Sequence, residues 1–176
     1  MLGAQAVNST RVEDGSRDRI ENSMTMNTAS SRLGRHAAAL SDDECWTRVA
    51  ATALGRVVFD DNAGRPTLRP VNHAVDRAVT SGTASVVFRT VAGTKLAAAA
   101  AQRQVCFEVD GFDEQAQTGW SVLIHGRASL VTDHRALTAL YGTRLLPWGP
   151  ESPTETVWVR ITPHDISGLE LTSSSA

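Results

Sequence analysis

The sequence predicts a mainly β protein, with flanking α-helices, whose six or seven antiparallel strands close on themselves as a barrel. Three observations lead there. Between residues 56 and 171, apolar and polar residues alternate with period two in repeated short runs, the pattern of strands with one buried face. Most links between these runs are short, and short links between consecutive strands imply antiparallel pairing. An antiparallel sheet of this strand number commonly removes its edges by closing.

The elements follow in order. Residues 1–38 are rich in Ser, Asn, Thr, Arg, Asp and Gly with no sustained period, and read as a disordered tail. Met24 and Met26 lie inside this tail, so the start codon is open. An ordered domain is expected over 39–172, with 173–176 as a flexible C-terminus. Ser41 and Glu44 form a capping box that opens a helix. Cys45, Trp46, Val49, Ala50 and Ala53 give it an apolar stripe, and Gly55 ends it. Strands are expected over 56–60 and 66–75, joined by a turn at Asn62-Ala63-Gly64. A third strand covers 84–90, a helix opened by Gly93-Thr94 covers 93–103, and a fourth strand covers 104–110. Residues 111–118 read as a loop, 120–131 as a long strand, and 134–145 as a helix capped by Asp133. A Pro/Gly/Glu stretch over 147–155 connects to two last strands, 156–162 and 166–171.

Composition bounds the function. The chain has 176 residues, 41% of them hydrophobic, enough for one domain with a real core. A net charge of −2 gives no global field for nucleic acid or membrane. There is no apolar run of membrane-spanning length and no signal-peptide core, so a cytoplasmic protein is expected. Cys45 and Cys106 lack metal-ligand spacing and are expected to be reduced thiols. The five histidines, His36, His73, His125, His134 and His164, also lack it, and no metal site is expected. Ser121 has no nucleophile-elbow context, and no GxGxxG or Walker motif is present. With no side-chain catalyst in view, a bound cofactor would have to supply any chemistry.

Three clusters stand out. The stretch Phe88-Arg-Thr-Val-Ala-Gly-Thr-Lys-Leu96 sets Arg89, Thr90, Thr94 and Lys95 between a strand end and a helix start, where hydroxyls, cations and free N–H groups can converge on a phosphate. Alternatively these are solvated surface charges. Arg69-Pro70-Val71-Asn72-His73 places a proline inside a strand, which argues for an edge or a bulge whose freed backbone can meet a flat heterocycle. Alternatively it is a hydrated edge with His73 exposed. Trp120-Ser121 opens a strand and can line a pocket mouth, or Trp120 is ordinary core. Gly126, further along that strand, suggests a bulge or close backbone approach.

Taken in order, Gly-Arg-Val-Val-Phe, Arg-Pro-Val-Asn-His, Phe-Arg-Thr-x-x-Gly-Thr-Lys, Phe-Glu-Val-Asp and Gly-Trp-Ser-Val-x-x-x-Gly-Arg-Ala resemble the pyridoxamine 5′-phosphate oxidase-like family of FMN-binding split β-barrels. Within it, the small flavoproteins that include nitroimidazole-resistance proteins are most similar. The resemblance covers residues 40–171. It implies a homodimer with FMN in clefts between subunits. Arg89, Thr90, Thr94 and Lys95 would hold the FMN phosphate, and Arg69, Pro70, Val71 and Asn72 would run along the isoalloxazine. Trp120 and Ser121 would touch the flavin, and Trp148 would wall the pocket from the partner chain.

The resemblance also has departures. Leu96 stands where the oxidases carry a second cation, and Ala74 where they carry a substrate-binding lysine. Their Arg/Ser-rich helical substrate motif is missing from 133–145. Flavin binding is therefore expected ahead of pyridoxamine phosphate oxidation. The implied activity is a flavin-dependent oxidoreductase drawing on NAD(P)H. The alternatives are a split barrel using the deazaflavin F420, with Arg65, Arg77 and Arg103 near its acidic tail, or a non-enzymatic flavin or haem module with His73 or His125 as axial ligand.

Overall fold

The computed structural model describes residues 35–61, 63–77, 84–91, 103–143, 145 and 156–173. In chain order the elements are β1 (Arg35–Leu40), α1 (Asp42–Ala51), β2 (Leu54–Asp60), β3 (Pro66–Asp76), β4 (Ser85–Val91), β5 (Gln104–Asp113), β6 (Thr118–Leu130), α2 (His134–Tyr141) and β7 (Thr156–Ser173).

The strands lie side by side in the order β1-β7-β4-β3-β2-β5-β6, every ladder antiparallel, and a further β6–β7 ladder closes β2 to β7 into a ring. The fold is a split β-barrel. Along one edge of β7, residues 156–161 pair with β4 and residues 168–173 with β1, while β6 runs along the other edge.

Period-two alternation fills the barrel from one face of each strand. Val57 and Phe59, Val71, Val86 and Phe88, Phe107 and Val109, Val122 and Ile124, and Val159 and Ile161 form one continuous core. Helix α1 plugs the barrel by adding Cys45, Trp46 and Val49 to that core. Its start is fixed by the expected capping box: the Ser41 hydroxyl accepts from Glu44 N–H, and the Glu44 carboxylate accepts from Ser41 N–H at 2.8 Å. The bond from the Ser41 hydroxyl, followed by that from its backbone N–H, holds the Glu44 carboxyl below its ordinary range.

A second, smaller core lies outside the barrel. Val87 and Trp158, on the outer faces of β4 and β7, are covered by Leu140 of α2, with Leu137 and Ala74 beside them. Burying side chains of this size contributes about 1.5–3 kcal/mol each, so this patch anchors α2.

Five expectations need correction. Helix α1 ends at Ala51 with Thr52 as its cap, so Ala53 lies beyond it and Gly55 belongs to β2 rather than ending the helix. Residues 35–38, assigned to the tail, form most of β1, a strand that exists through its ladder with β7. Residues 111–118 are no open loop, because β5 and β6 continue pairing as a hairpin out to Asp113↔Thr118. The last two expected strands are one, β7, in which Pro163 to Asp165 absorb a register shift against His125/Gly126. Helix α2 ends at Tyr141 rather than 145. The expected helix over 93–103 lies, apart from Arg103, outside the described residues.

Gly126 sits at that register shift, as its sequence position suggested. A Cβ there would stand 2.7 Å from both Ile161 Cγ2 and the Thr162 carbonyl oxygen. No other residue lets β6 approach β7 so closely.

Candidate functional site

The site begins where two paired strands part. β3 pairs with β2 from Pro66 to Asn72, but with β4 only from Asp76↔Ser85 to His73↔Phe88. Beyond that point β3 stays on β2, and β4 continues through Arg89, Thr90 and Val91 on β7. The Arg69–Asn72 and Arg89–Thr90 clusters, separate in sequence, therefore line the two arms of one fork.

Backbone direction in the fork follows from one bond. The His73 N–H donates to the Ala53 carbonyl, on the β2 side. Alternate residues of a strand turn their polar groups to opposite edges, so the peptide groups of Pro70 and Asn72 turn into the fork. Pro70 lacks an N–H, so it presents only an acceptor there.

Side-chain direction follows from the alternation. Val71 is buried at 3% exposure and His73 at 5%, so the side chains of Pro70 and Asn72 point to the outer face. Val71 has its side chain in the core and, on the same alternation as His73, turns its peptide groups toward β2. Arg69 is exposed and turns its guanidinium back to the Leu68 carbonyl at 2.8 Å. On the other arm, Phe88 points into the barrel core and Thr90 is buried, while Arg89 projects outward under α2.

The Arg89 guanidinium donates through Nη2 to Thr156 Oγ1 at 2.6 Å and through Nη1 to the Leu145 carbonyl at 3.3 Å. Its Cζ lies 5.7 Å from each of the Tyr141 and Trp158 ring centres. Arg89 Nε and Trp158 Nε1 are both buried with no hydrogen-bond partner among the described residues. Buried donors without acceptors are rare and costly, and here two of them stand on paired residues, Arg89↔Trp158. An anion at this point would meet desolvated donors, one of them charged. These groups fit a heterocycle carrying a phosphate.

His73 closes the base of the fork, and it is not the exposed residue the sequence allowed. Its Nε2 donates to the Val49 carbonyl of α1 at 2.9 Å, and its ring meets Phe107 edge to face at 4.9 Å. Burial holds its pKa below the ordinary imidazole value, only partly offset by the Val49 carbonyl. Packed in this way inside the barrel, His73 is no axial haem ligand.

Trp120 and Ser121 are not brought to the fork within one chain; they lie three strands from β3 around the ring, through β2 and β5. Trp120 packs against the barrel core, its indole over Gly111, where a Cβ would come within 2.6 Å of Nε1, and Arg48 Cζ sits 5.1 Å from its ring centre. Ser121 is exposed. Thr94, Lys95 and Trp148 lie outside the described residues. Sequence reasoning missed Trp158 and Thr156. The signal for Trp158 was its alternation with Val157 and Val159, which sets a lone indole on the outer face. Among the described residues, no group of three His, Cys, Asp or Glu side chains converges on a metal position, and no helix is long and apolar enough to cross a membrane.

The barrel and its fork define the class of small split-barrel proteins. The family model for pyridoxamine 5′-phosphate oxidase matches residues 41–170, and the chain belongs to that family. Among its relatives is the uncharacterized protein Rv0080 of Mycobacterium tuberculosis, 33% identical over 84% of this chain and 93% of that one. The FAD binding protein of Mycobacterium smegmatis is similar in structure, with a TM-score of 0.65 and 36% identity over 77% of this chain and 98% of that one. A putative 5-nitroimidazole antibiotic resistance protein of Bacteroides thetaiotaomicron shares the fold, with a TM-score of 0.61 and 10% identity over 80% of this chain and 90% of that one.

Proposed function

We propose that this chain is a flavin-binding oxidoreductase that holds FMN in the β3–β4 fork, at the interface of a homodimer. The observation that carries this reading is the fork itself: two strand arms that cease to pair with each other, with peptide groups of β3 on one side and, on the other, Arg89, whose buried Nε has no partner among the described residues. The similarity to the FAD binding protein of Mycobacterium smegmatis supports a flavin.

In this reading Arg89, Thr90, Thr94 and Lys95 seat the phosphate. The peptide groups of Pro70 and Asn72 meet the polar edge of the ring system, with Arg69 and Val71 completing that strand. Trp120, Ser121 and Trp148 reach the flavin from the partner subunit, since Trp120 and Ser121 do not reach the fork of their own chain. When bound, FMN supplies hydride and electron transfer, with NAD(P)H as reductant. The protein positions and orients, and no side chain is required as acid or base.

Titration of the purified protein with FMN, FAD, F420 and riboflavin tests this, read by absorbance, with sedimentation giving the oligomeric state. FMN is expected to bind tightest. Arg89→Ala and Lys95→Ala should each cost about 1.5–3 kcal/mol in FMN affinity, the worth of a hydrogen bond to a charged group. Both should leave riboflavin, which lacks the phosphate, little changed. Equal losses for riboflavin would remove the phosphate assignment, preference for FAD or F420 would replace the cofactor, and a colourless protein that takes up none of them would end the proposal.

A further inference from the structure

A second group of chemically capable side chains lies on the barrel exterior, away from the fork. Cys106 of β5, His125 of β6 and Asp165 of β7 stand in one cross-strand row, because the register pairs Cys106 with His125 and His125 with Asp165. Directly opposed residues share a face. This face is the outer one, since Val105 and Phe107 on either side of Cys106 point into the core. Cys106 Sγ lies 3.1 Å from His125 Nδ1. The register shift beside Gly126 brings in His164, whose ring centre is 6.5 Å from that of His125.

The group borders open space. A cleft of about 360 Å³ is lined by Phe59, Pro66, Gln104, Cys106, His125 and His164. Through Gln104 and His164 it continues into a second cleft lined by Arg127, Ser129 and Thr162. Phe59 and Pro66 give the first an apolar wall, and Asp60 borders it at the β2 side. The second offers a cation and two hydroxyls.

We propose that Cys106 is a reactive thiol that forms a mixed disulfide with a small carboxylate-bearing disulfide seated in these clefts, with His125 as its proton acceptor. Burial raises the Cys106 thiol above its ordinary range, so the thiol rests protonated, 3.1 Å from Nδ1, and the base acts during attack. His125 Nδ1 takes the thiol proton as the Cys106 sulfur attacks one sulfur of the ligand. The ligand's S–S bond breaks, a new S–S bond forms to Cys106, and the departing thiolate recovers the proton from the His125 imidazolium. The protein thiol is oxidised, the ligand disulfide is reduced, and one small thiol leaves. Asp165 stands opposite His125 in the register. Arg127 and the hydroxyls hold the carboxylate end.

The chain contains its own control. It has two cysteines, and Cys45 is wholly buried at 0% exposure. The reduced full-length protein is incubated with glutathione disulfide or with the cationic disulfide cystamine, and adducts are located by peptide mass spectrometry. A single glutathione adduct is expected on Cys106, none on folded Cys45, and slower reaction with cystamine. His125→Gln should slow adduct formation at neutral pH by roughly 10²-fold, the lower bound for losing a general base. The two rates should converge at alkaline pH, where the thiol ionises unaided. No adduct on Cys106, or equal rates for His125→Gln and the parent at neutral pH, would overturn the proposal. A faster reaction with cystamine would overturn the carboxylate-bearing ligand.

Discussion

Protonating His73 should unfasten α1 from the barrel, and a single substitution isolates the effect. The folded chain holds this imidazole neutral, because burial disfavours the charged form and Nδ1 has no partner among the described residues to accept a second proton's bond. An unfolded chain takes up that proton near the ordinary imidazole value of about 6.5. As pH falls below that value the unfolded state binds the proton first, so the stability conferred by neutral His73 is present above about 6.5 and is lost as the solution is acidified toward the lowered native value. One proton limits the slope to about 1.36 kcal/mol per pH unit. His73→Gln keeps an N–H able to reach the Val49 carbonyl at 2.9 Å and removes the titration. It also loses the edge-to-face contact with Phe107, at a cost of about 0.5–1.5 kcal/mol. Urea unfolding of both proteins at intervals from pH 7.5 to 5 gives the difference in stability, in which the other histidines cancel. The parent should be the more stable at neutral pH and lose its lead steadily below about 6.5. A difference that stays constant across the whole range would refute the assignment of His73 as a buried neutral donor.

Other outcomes follow from the geometry. Gly126→Ala places a Cβ 2.7 Å from Ile161 Cγ2 and from the Thr162 backbone oxygen, neither of which is the free end of a long side chain. It should cost about 3 kcal/mol, read as a fall in melting temperature. Gly64→Ala meets nothing within 4 Å but sits at φ +73°, so its penalty is conformational, about 1 kcal/mol in the same assay. Asp76 pairs with Arg160 Nη2 between β3 and β7, with side chains only 18% and 26% exposed, and Arg160 Nε has no partner among the described residues. Asp76→Ala should therefore destabilise by about 1.5–3 kcal/mol, with weak dependence on added salt, by chemical denaturation.

The legible parts of the fold were those whose signal is local. The Ser41–Glu44 box, the β2–β3 hairpin, Gly126 and the edge character of Pro70 each depend on a few neighbouring residues, and the structure has all four. The illegible parts depend on partners far along the chain. Arg35–Leu40 has three consecutive alanines and no alternation, and becomes a strand only because residues 168–173 supply its ladder. Residues 163–165 fell between two expected strands, but the register shift lets β7 run through them. His73 was ambiguous because alternation gives its face but not the helix that closes over it, and the Val49 carbonyl that satisfies it is 24 residues away. The site divides the same way. Arg89 and Asn72 carried their own chemical signal, whereas Trp158 gained significance only as the strand partner of Arg89.

Pro70 has a further consequence. An open strand arm is a template on which a stray extended segment can add, the usual route to edge-to-edge aggregation. Beyond His73 the β3 arm no longer pairs with β4, and the position whose N–H would face outward at its middle is occupied by a residue that has none. A foreign strand laid along Arg69–Asn72 would leave one of its own carbonyls without a donor. One imino acid thereby disfavours strand addition at this arm without placing any side chain across the fork.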